Sequence, residues 1–212
     1  IDFGYGPYSQ PNGLDQNARL ALGFANVNLN ASDRITANHK GSLAVYETQG
    51  AYDPIKGYLY SGGNLNLRTP LLTGEGGSVN ALKAGGSLVL SGPTGVAPAD
   101  ALGAELTLEG RNVVLDGRIA LASGKLQVKA EGDLTLTSGA TLDLAGRTLP
   151  FNDINQYSWG GDVALYSRDG NIRQAAGSRI DLSAQNNQAG NLSVVALSDT
   201  AGEVDLQGEI RG

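Results

Sequence analysis

The 212-residue sequence has no cysteine, no methionine, one histidine and one tryptophan. Without cysteine there is no disulfide scaffold and no thiolate metal site. A single histidine, His39, excludes a multi-histidine zinc centre. Charge is sparse, with Asp, Glu, Lys and Arg at 17% and a net charge of −6. Lys and Arg are scattered, which argues against nucleic acid and against anionic membrane surfaces as partners. No apolar run reaches the roughly 18 residues of a membrane-spanning helix, so no membrane insertion is expected. A chain that begins at Ile1 and contains no Met reads as a processed piece or a fragment of a longer product. Nothing in the composition divides it, and residues 1–212 are read as a single domain.

Glycine, by contrast, is abundant at 31 residues, and its placement is informative. Over residues 104–145 the pairs Leu106/Leu108, Val113/Leu115 and Ile119/Leu121 are followed by Leu126/Val128, Leu134/Leu136 and Leu142/Leu144. Turns containing Gly110, Gly117, Gly124, Gly132 and Gly139 separate them. Strict alternation gives each strand one buried and one wet face. The triplet recurs after 20 residues at Leu106→Leu126, 21 at Val113→Leu134 and 23 at Ile119→Leu142. A three-strand unit repeating at that length is the signature of a β-solenoid. The shift of 20 also places Glu105 over Lys125 and Glu109 over Lys129 on one outer face. The rival arrangement is a stack of antiparallel hairpins, for which Asp116-Gly117 and Asp169-Gly170 are suitable turns; the recurring triplet favours parallel stacking. At about 20–25 residues per coil and ~4.8 Å per layer, nine or ten coils would make a rod of roughly 45 Å.

Residues 1–18 have no regular period and read as an irregular lead-in. Strand pairs then begin at Leu20/Leu22 and recur at Val27/Leu29, Ile35/Ala37, Leu43/Val45, Leu65/Leu67, Leu71, Val79 and Leu88/Leu90. After the central coils they continue at Val163/Leu165, Ile172 and Ile180/Leu182, and then at Leu192/Val194, Val204/Leu206 and Ile210. Three excursions interrupt them, near 46–63, 92–103 and 146–161, marked by Pro54, Pro93, Pro98 and Pro150 and by clustered aromatics.

The phrases GSLVLSG (86–92), GDLTLTSGATLDLAGRT (132–148), AAGSRIDLSAQ (175–185) and AGNLSVVAL (189–197) resemble the shaft repeats of the filamentous haemagglutinin family, the large exoproteins of bacterial two-partner secretion. The resemblance runs from about Val27 to Gly212 and weakens in the excursions. It implies a right-handed parallel β-helix, export through an outer-membrane transporter partner, and a place outside the cell or on the outer surface of a Gram-negative bacterium, in adhesion or aggregation. Zero cysteine agrees with export as an unfolded thread. The expected role is therefore a structural shaft segment of an adhesin, not an enzyme and without a cofactor. Its ligands would be surface glycans or cell-surface proteins. The alternative is a polysaccharide-degrading β-helix, a lyase or hydrolase, which needs acids or bases from neighbouring coils to converge.

No catalytic or metal constellation is legible. His39 sits in the turn-like TANHKGS and reads as a solvated turn residue. Asp143 and Asp181 fall on outward phases and read as isolated surface carboxylates. The aromatics say more, because seven of the twelve lie in two excursions: Tyr46, Tyr52, Tyr58 and Tyr60 in one, Phe151, Tyr157 and Trp159 in the other. Aromatics on loops can stack on sugar rings or anchor a protein contact. Trp159, Tyr157, Phe151, Tyr52 and Tyr58 are the candidate ligand-contact residues. The competing expectation, that these rings pack back onto the coil wall, is the favoured one, since ordered loops of this length must bury something.

Overall fold

Alternating apolar residues, spaced by Gly-containing corners, fold this chain into three parallel sheets of seven strands each, a parallel β-helix. The computed structural model describes residues 1–4, 18–55, 57–93, 99–198, 200 and 202–212. Most of the expected lead-in and residues 94–98 of the second excursion lie outside the described residues. Among those described there is no helix.

Along the molecule, the first sheet stacks Ala18–Leu22, Lys40–Tyr46, Val79–Ala84, Glu105–Gly110, Lys125–Ala130, Asp162–Ser167 and Leu192–Ala196. The second stacks Asn26–Asn30, Asn64–Arg68, Ser87–Ser91, Asn112–Asp116, Leu134–Leu136, Ile172–Gln174 and Val204–Leu206. The third stacks Asp2–Gly4, Ile35–Asn38, Leu72–Gly74, Arg118–Ala120, Thr141–Asp143, Arg179–Asp181 and Glu209–Arg211. The register follows the repeat: Leu106 pairs Leu126, Val113 pairs Leu134 and Ile119 pairs Leu142. Leu108, Leu115, Leu121, Val128, Leu136 and Leu144 are at most 1% exposed and form the core between the sheets. Among the described residues, antiparallel pairing is confined to two hairpins, Thr48–Asp53 with Gly57–Ser61 and Thr148–Phe151 with Ile154–Tyr157, and one isolated bridge from Gly62 to Gly85.

The rod is shorter than the repeat length implies. Among the described residues the first sheet has seven layers, six spacings or ~29 Å, in place of nine or ten coils. The two hairpins consume residues without adding coils. Among the described residues no third-sheet strand lies between Ser91 and Glu105. After Ser87–Ser91 the chain re-enters at Glu105, and Leu72–Gly74 pairs directly with Arg118–Ala120 across the third sheet. The buried Thr73 Oγ1 donates to the Ala120 carbonyl at 2.8 Å across that closure. At the adjoining corner Gly77 N–H donates to the Leu102 carbonyl and Gly103 N–H to that of Ala122, both at 3.0 Å.

Two strands run in the opposite phase to the one expected. Leu20 and Leu22 face outward, 50% and 38% exposed, while Ala21 packs inward opposite the buried Val45. Val79 is 41% exposed, and Asn80 takes the interior position. Asn80 is tolerated there because its Nδ2 donates to the Asn38 and His39 carbonyls at 3.1 and 3.3 Å. The acid–base column is correct in register but not in every partner. Lys125 Nζ lies 3.1 Å from Glu105 Oε1, whereas Glu109, paired in register with Lys129, makes its ion pair at 3.4 Å with Lys83 of the preceding coil. These exposed pairs contribute little, ~0.2–1 kcal/mol each.

Register is held more firmly at the corner that opens the second sheet. Asn64, Asn112, Asp133 and Asn171 each immediately precede or begin a second-sheet strand. Each uses its side-chain Oδ1 to accept the backbone N–H of the equivalent residue one coil later, namely Ser87, Asp133, Asn171 and Glu203, at 2.9–3.0 Å. Gly86, Gly132 and Gly170 make room for this: a Cβ there would come within 2.4, 2.6 and 2.7 Å of the Oδ1 of Asn64, Asn112 and Asp133. The sequence form of the device is a Gly-Asx or Gly-Ser dipeptide at the start of the strand, seen at 63–64, 86–87, 132–133 and 170–171.

Candidate functional site

The hairpins leave the rod at its edges and carry five of the twelve aromatics. In the second hairpin, Asn152 adopts a left-handed φ of 50° at the two-residue turn between Phe151 and Ile154, a conformation that Asn tolerates. Its base is tied to the coil by Ser123 Oγ, which donates to Ser158 Oγ and to the Trp159 carbonyl, each at 2.7 Å. Asn187 Nδ2 donates to the Tyr157 carbonyl at 2.6 Å. With the base held by polar contacts, the rings are not needed as cover. Trp159 is 62% exposed, Phe151 63%, Tyr52 64% and Tyr58 52%, and Tyr157 is half-buried. The expectation that they pack onto the coil wall therefore fails for those four. Tyr52 and Tyr58 meet edge to face at 5.2 Å across the first hairpin. The five candidate ligand-contact residues thus divide between two hairpins, Tyr52 and Tyr58 on one and Phe151, Tyr157 and Trp159 next to or on the other.

Asp143 and Asp181 are not isolated. They are directly paired in register on the outer side of the third sheet, where two like charges would repel. Guanidinium groups neutralise them. Arg118 and Arg147 lie 3.0 and 3.1 Å from Asp143, and Arg179 donates to Asp181. Burial pushes the Asp181 carboxyl up, but hydrogen bonds from the Ser183 hydroxyl and N–H and the Arg179 guanidinium outweigh it and hold the carboxyl below its ordinary value. The Asp181 carboxyl so held is a poor proton donor, since a general acid needs a raised pKa. Arg147 also anchors the second hairpin: its N–H donates to Ser158 Oγ at 2.7 Å while its side chain holds Asp143.

A third feature escapes a reading of the excursions alone. Tyr46, at the end of a first-sheet strand, stacks on Tyr60 of the first hairpin with ring centroids 4.8 Å apart. Gly85 permits this, because a Cβ there would meet the Tyr46 ring at 2.6 Å. Burial, and then the nearby carboxylates of Glu109 and Glu131 and the Tyr60 ring, raise the Tyr46 hydroxyl above its ordinary value and keep it protonated. A depression of about 240 Å³ opens beside the two rings, bordered also by Glu109, Arg111 and Glu131. Its residues come from four coils, and the signal that unites them is register, not local sequence.

His39 is exposed at the corner before Lys40–Tyr46 with φ 47°. Among the described residues no group of three His, Asp or Glu side chains is placed to hold a metal ion. No protein-family model, no curated protein and no solved structure matches this chain.

Proposed function

We propose that the chain is a shaft segment of a secreted or cell-surface bacterial adhesin, of the filamentous haemagglutinin kind, exported through an outer-membrane transporter partner and without enzymatic activity. The observation that carries this reading is the combination of an axial ladder continuous through seven layers with two lateral hairpins that expose Tyr52, Tyr58 and Phe151 to solvent. A rod of this sort holds recognition surfaces at a fixed distance, and its stability is distributed over nearest-neighbour coils. The phrases at 86–92, 132–148, 175–185 and 189–197 supply the family resemblance. The Asp143–Asp181 pair is what favours the alternative, a polysaccharide-degrading β-helix, and the three arginines that occupy the two carboxyls speak against it.

Beads coated with the chain test the reading. They should be retained on cell monolayers, and Phe151→Ala with Trp159→Ala should lower retention severalfold at an unchanged melting temperature. Absence of retention together with release of reducing or unsaturated sugar ends from a polysaccharide panel would replace the adhesin reading by the enzymatic one.

A further inference from the structure

Beyond the hairpins, the wall of the first sheet carries two outward rows along the rod axis. Register places Ala44, Lys83, Glu109, Lys129, Tyr166 and Val195 in one row. Tyr46, Arg111, Glu131 and Arg168 follow the strand ends beside it, their alignment kept by backbone bonds such as Glu131 N–H to the Gly110 carbonyl and Arg168 N–H to the Ala130 carbonyl, both at 3.0 Å. The depression at Tyr46 and Tyr60 shares Glu109, Gly110 and Glu131 with a second of about 260 Å³. That one shares Lys129 and Tyr166 with a third of about 320 Å³. The three join into one shallow strip from the strand Lys40–Tyr46 to the strand Leu192–Ala196, six layers and ~24 Å long.

The charges on this strip do not cancel. Glu109 is taken by Lys83 at 3.4 Å, and Arg168 is shared by Glu131 at 3.6 Å and Asp169 at 2.8 Å. Among the described residues, Arg111 and Lys129 have no carboxylate at ion-pair distance, although the chain as a whole is acidic at −6. The strip therefore presents two unneutralised cations between an aromatic platform, Tyr46 on Tyr60, and a second ring, Tyr166. We propose that it binds a linear polysaccharide bearing carboxylates, laid along the rod axis. Arg111 and Lys129 take uronate carboxylates, the guanidinium fork of Arg111 suiting a planar anion. Tyr60 and Tyr166 stack on sugar rings, and the exposed oxygens of Glu109 and Glu131 accept sugar hydroxyls. An extended peptide is a poorer fit, because the strands from Lys40–Tyr46 to Asp162–Ser167 are already paired on both sides and only Leu192–Ala196, at the end of the strip, has an edge to augment. Of the hairpin rings this wall site uses only Tyr60, and none of Tyr52, Tyr58, Phe151, Tyr157 and Trp159, so either can fail without the other.

Titration calorimetry with hexamers of galacturonate and of mannuronate, and with the fully methyl-esterified galacturonate hexamer, tests the proposal. At least one uronate hexamer should bind, esterification should weaken it tenfold or more, and affinity should fall as salt rises. Arg111→Gln, Lys129→Gln and Tyr166→Ala should each weaken it at least threefold at an unchanged melting temperature, while Trp159→Ala leaves it unchanged. These three avoid Tyr46, whose loss risks the fold through its contact with Gly85. No binding by either uronate, equal binding of the ester, equal affinity of the Arg111 and Lys129 variants, or tighter binding of a heparin hexasaccharide would each overturn it.

Discussion

The coils of residues 104–145 and the hairpin at 148–157 are built from similar alternating segments, yet they do opposite things with their apolar side chains. In the coils each inward Leu or Val lies between its equivalents in the layers on either side, and exposure falls to 2% or less at Leu106, Leu108, Val113, Leu115 and Ile119. In the hairpin there is no layer above or below, and Phe151 and Ile154 are 63% and 58% exposed. What buries a strand here is stacking, not its own alternation. The first described coil stands between the two cases: Ala21 is inward but only half-buried, and Leu20 is half exposed.

That contrast can be broken at its strongest point. Leu136→Asp would bury an unpaired charge and should abolish the cooperative transition. Leu136→Ala should cost about 2–5 kcal/mol through lost transfer energy and the cavity left behind, measured by denaturant unfolding. A loss as small as that of a surface substitution would mean the layers do not share a core.

The next effect depends on pH. Because the folded Asp181 carboxyl lies below its unfolded value, its stabilisation is present in full above the ordinary carboxylate range and is lost as pH falls through the lowered folded value. The stability difference between wild type and Asp181→Asn should shrink across that acidic window and be constant above it. A difference that grows on acidification would reverse the sign argued here.

Smaller still, Asn112→Ala removes one corner bond to the Asp133 N–H and should cost about 1 kcal/mol. Glu105→Ala, at an exposed ion pair, should cost less, and equal costs would remove the corner's claim to set register. At the hairpin, Trp159→Ala should change stability by no more than about 0.5 kcal/mol. A larger loss would bring the ring back to the coil wall.

The parallel stack was legible because similar shifts, of 20, 21 and 23 residues, recur on three faces. Leu106→Leu126, Val113→Leu134 and Ile119→Leu142 are all observed pairs. Phase failed where burial is weak or where a polar side chain is served internally. At Leu20 and Leu22 the first described coil buries little on either face, and at Val79 the neighbouring Asn80 finds two carbonyl acceptors. The hairpin rings were read as a cover because nothing local reveals that Ser123 and Asn187, distant in sequence, hold the hairpin base by hydrogen bonds. The wall strip was illegible for another reason. Tyr46, Arg111, Lys129 and Tyr166 belong to four different coils, and only the register of the finished stack sets them side by side.

The Asx corner has a polarity. In every instance, from Asn64 to Ser87 through Asn171 to Glu203, the earlier coil supplies the acceptor and the later coil the N–H. At these four corners the finished coil displays a preset side-chain acceptor to the segment that follows it. Growth of the stack from the N-terminal side therefore meets a ready template at those steps, while growth the other way must wait for its acceptors to arrive. A chain delivered gradually would zip in one direction, coil upon coil.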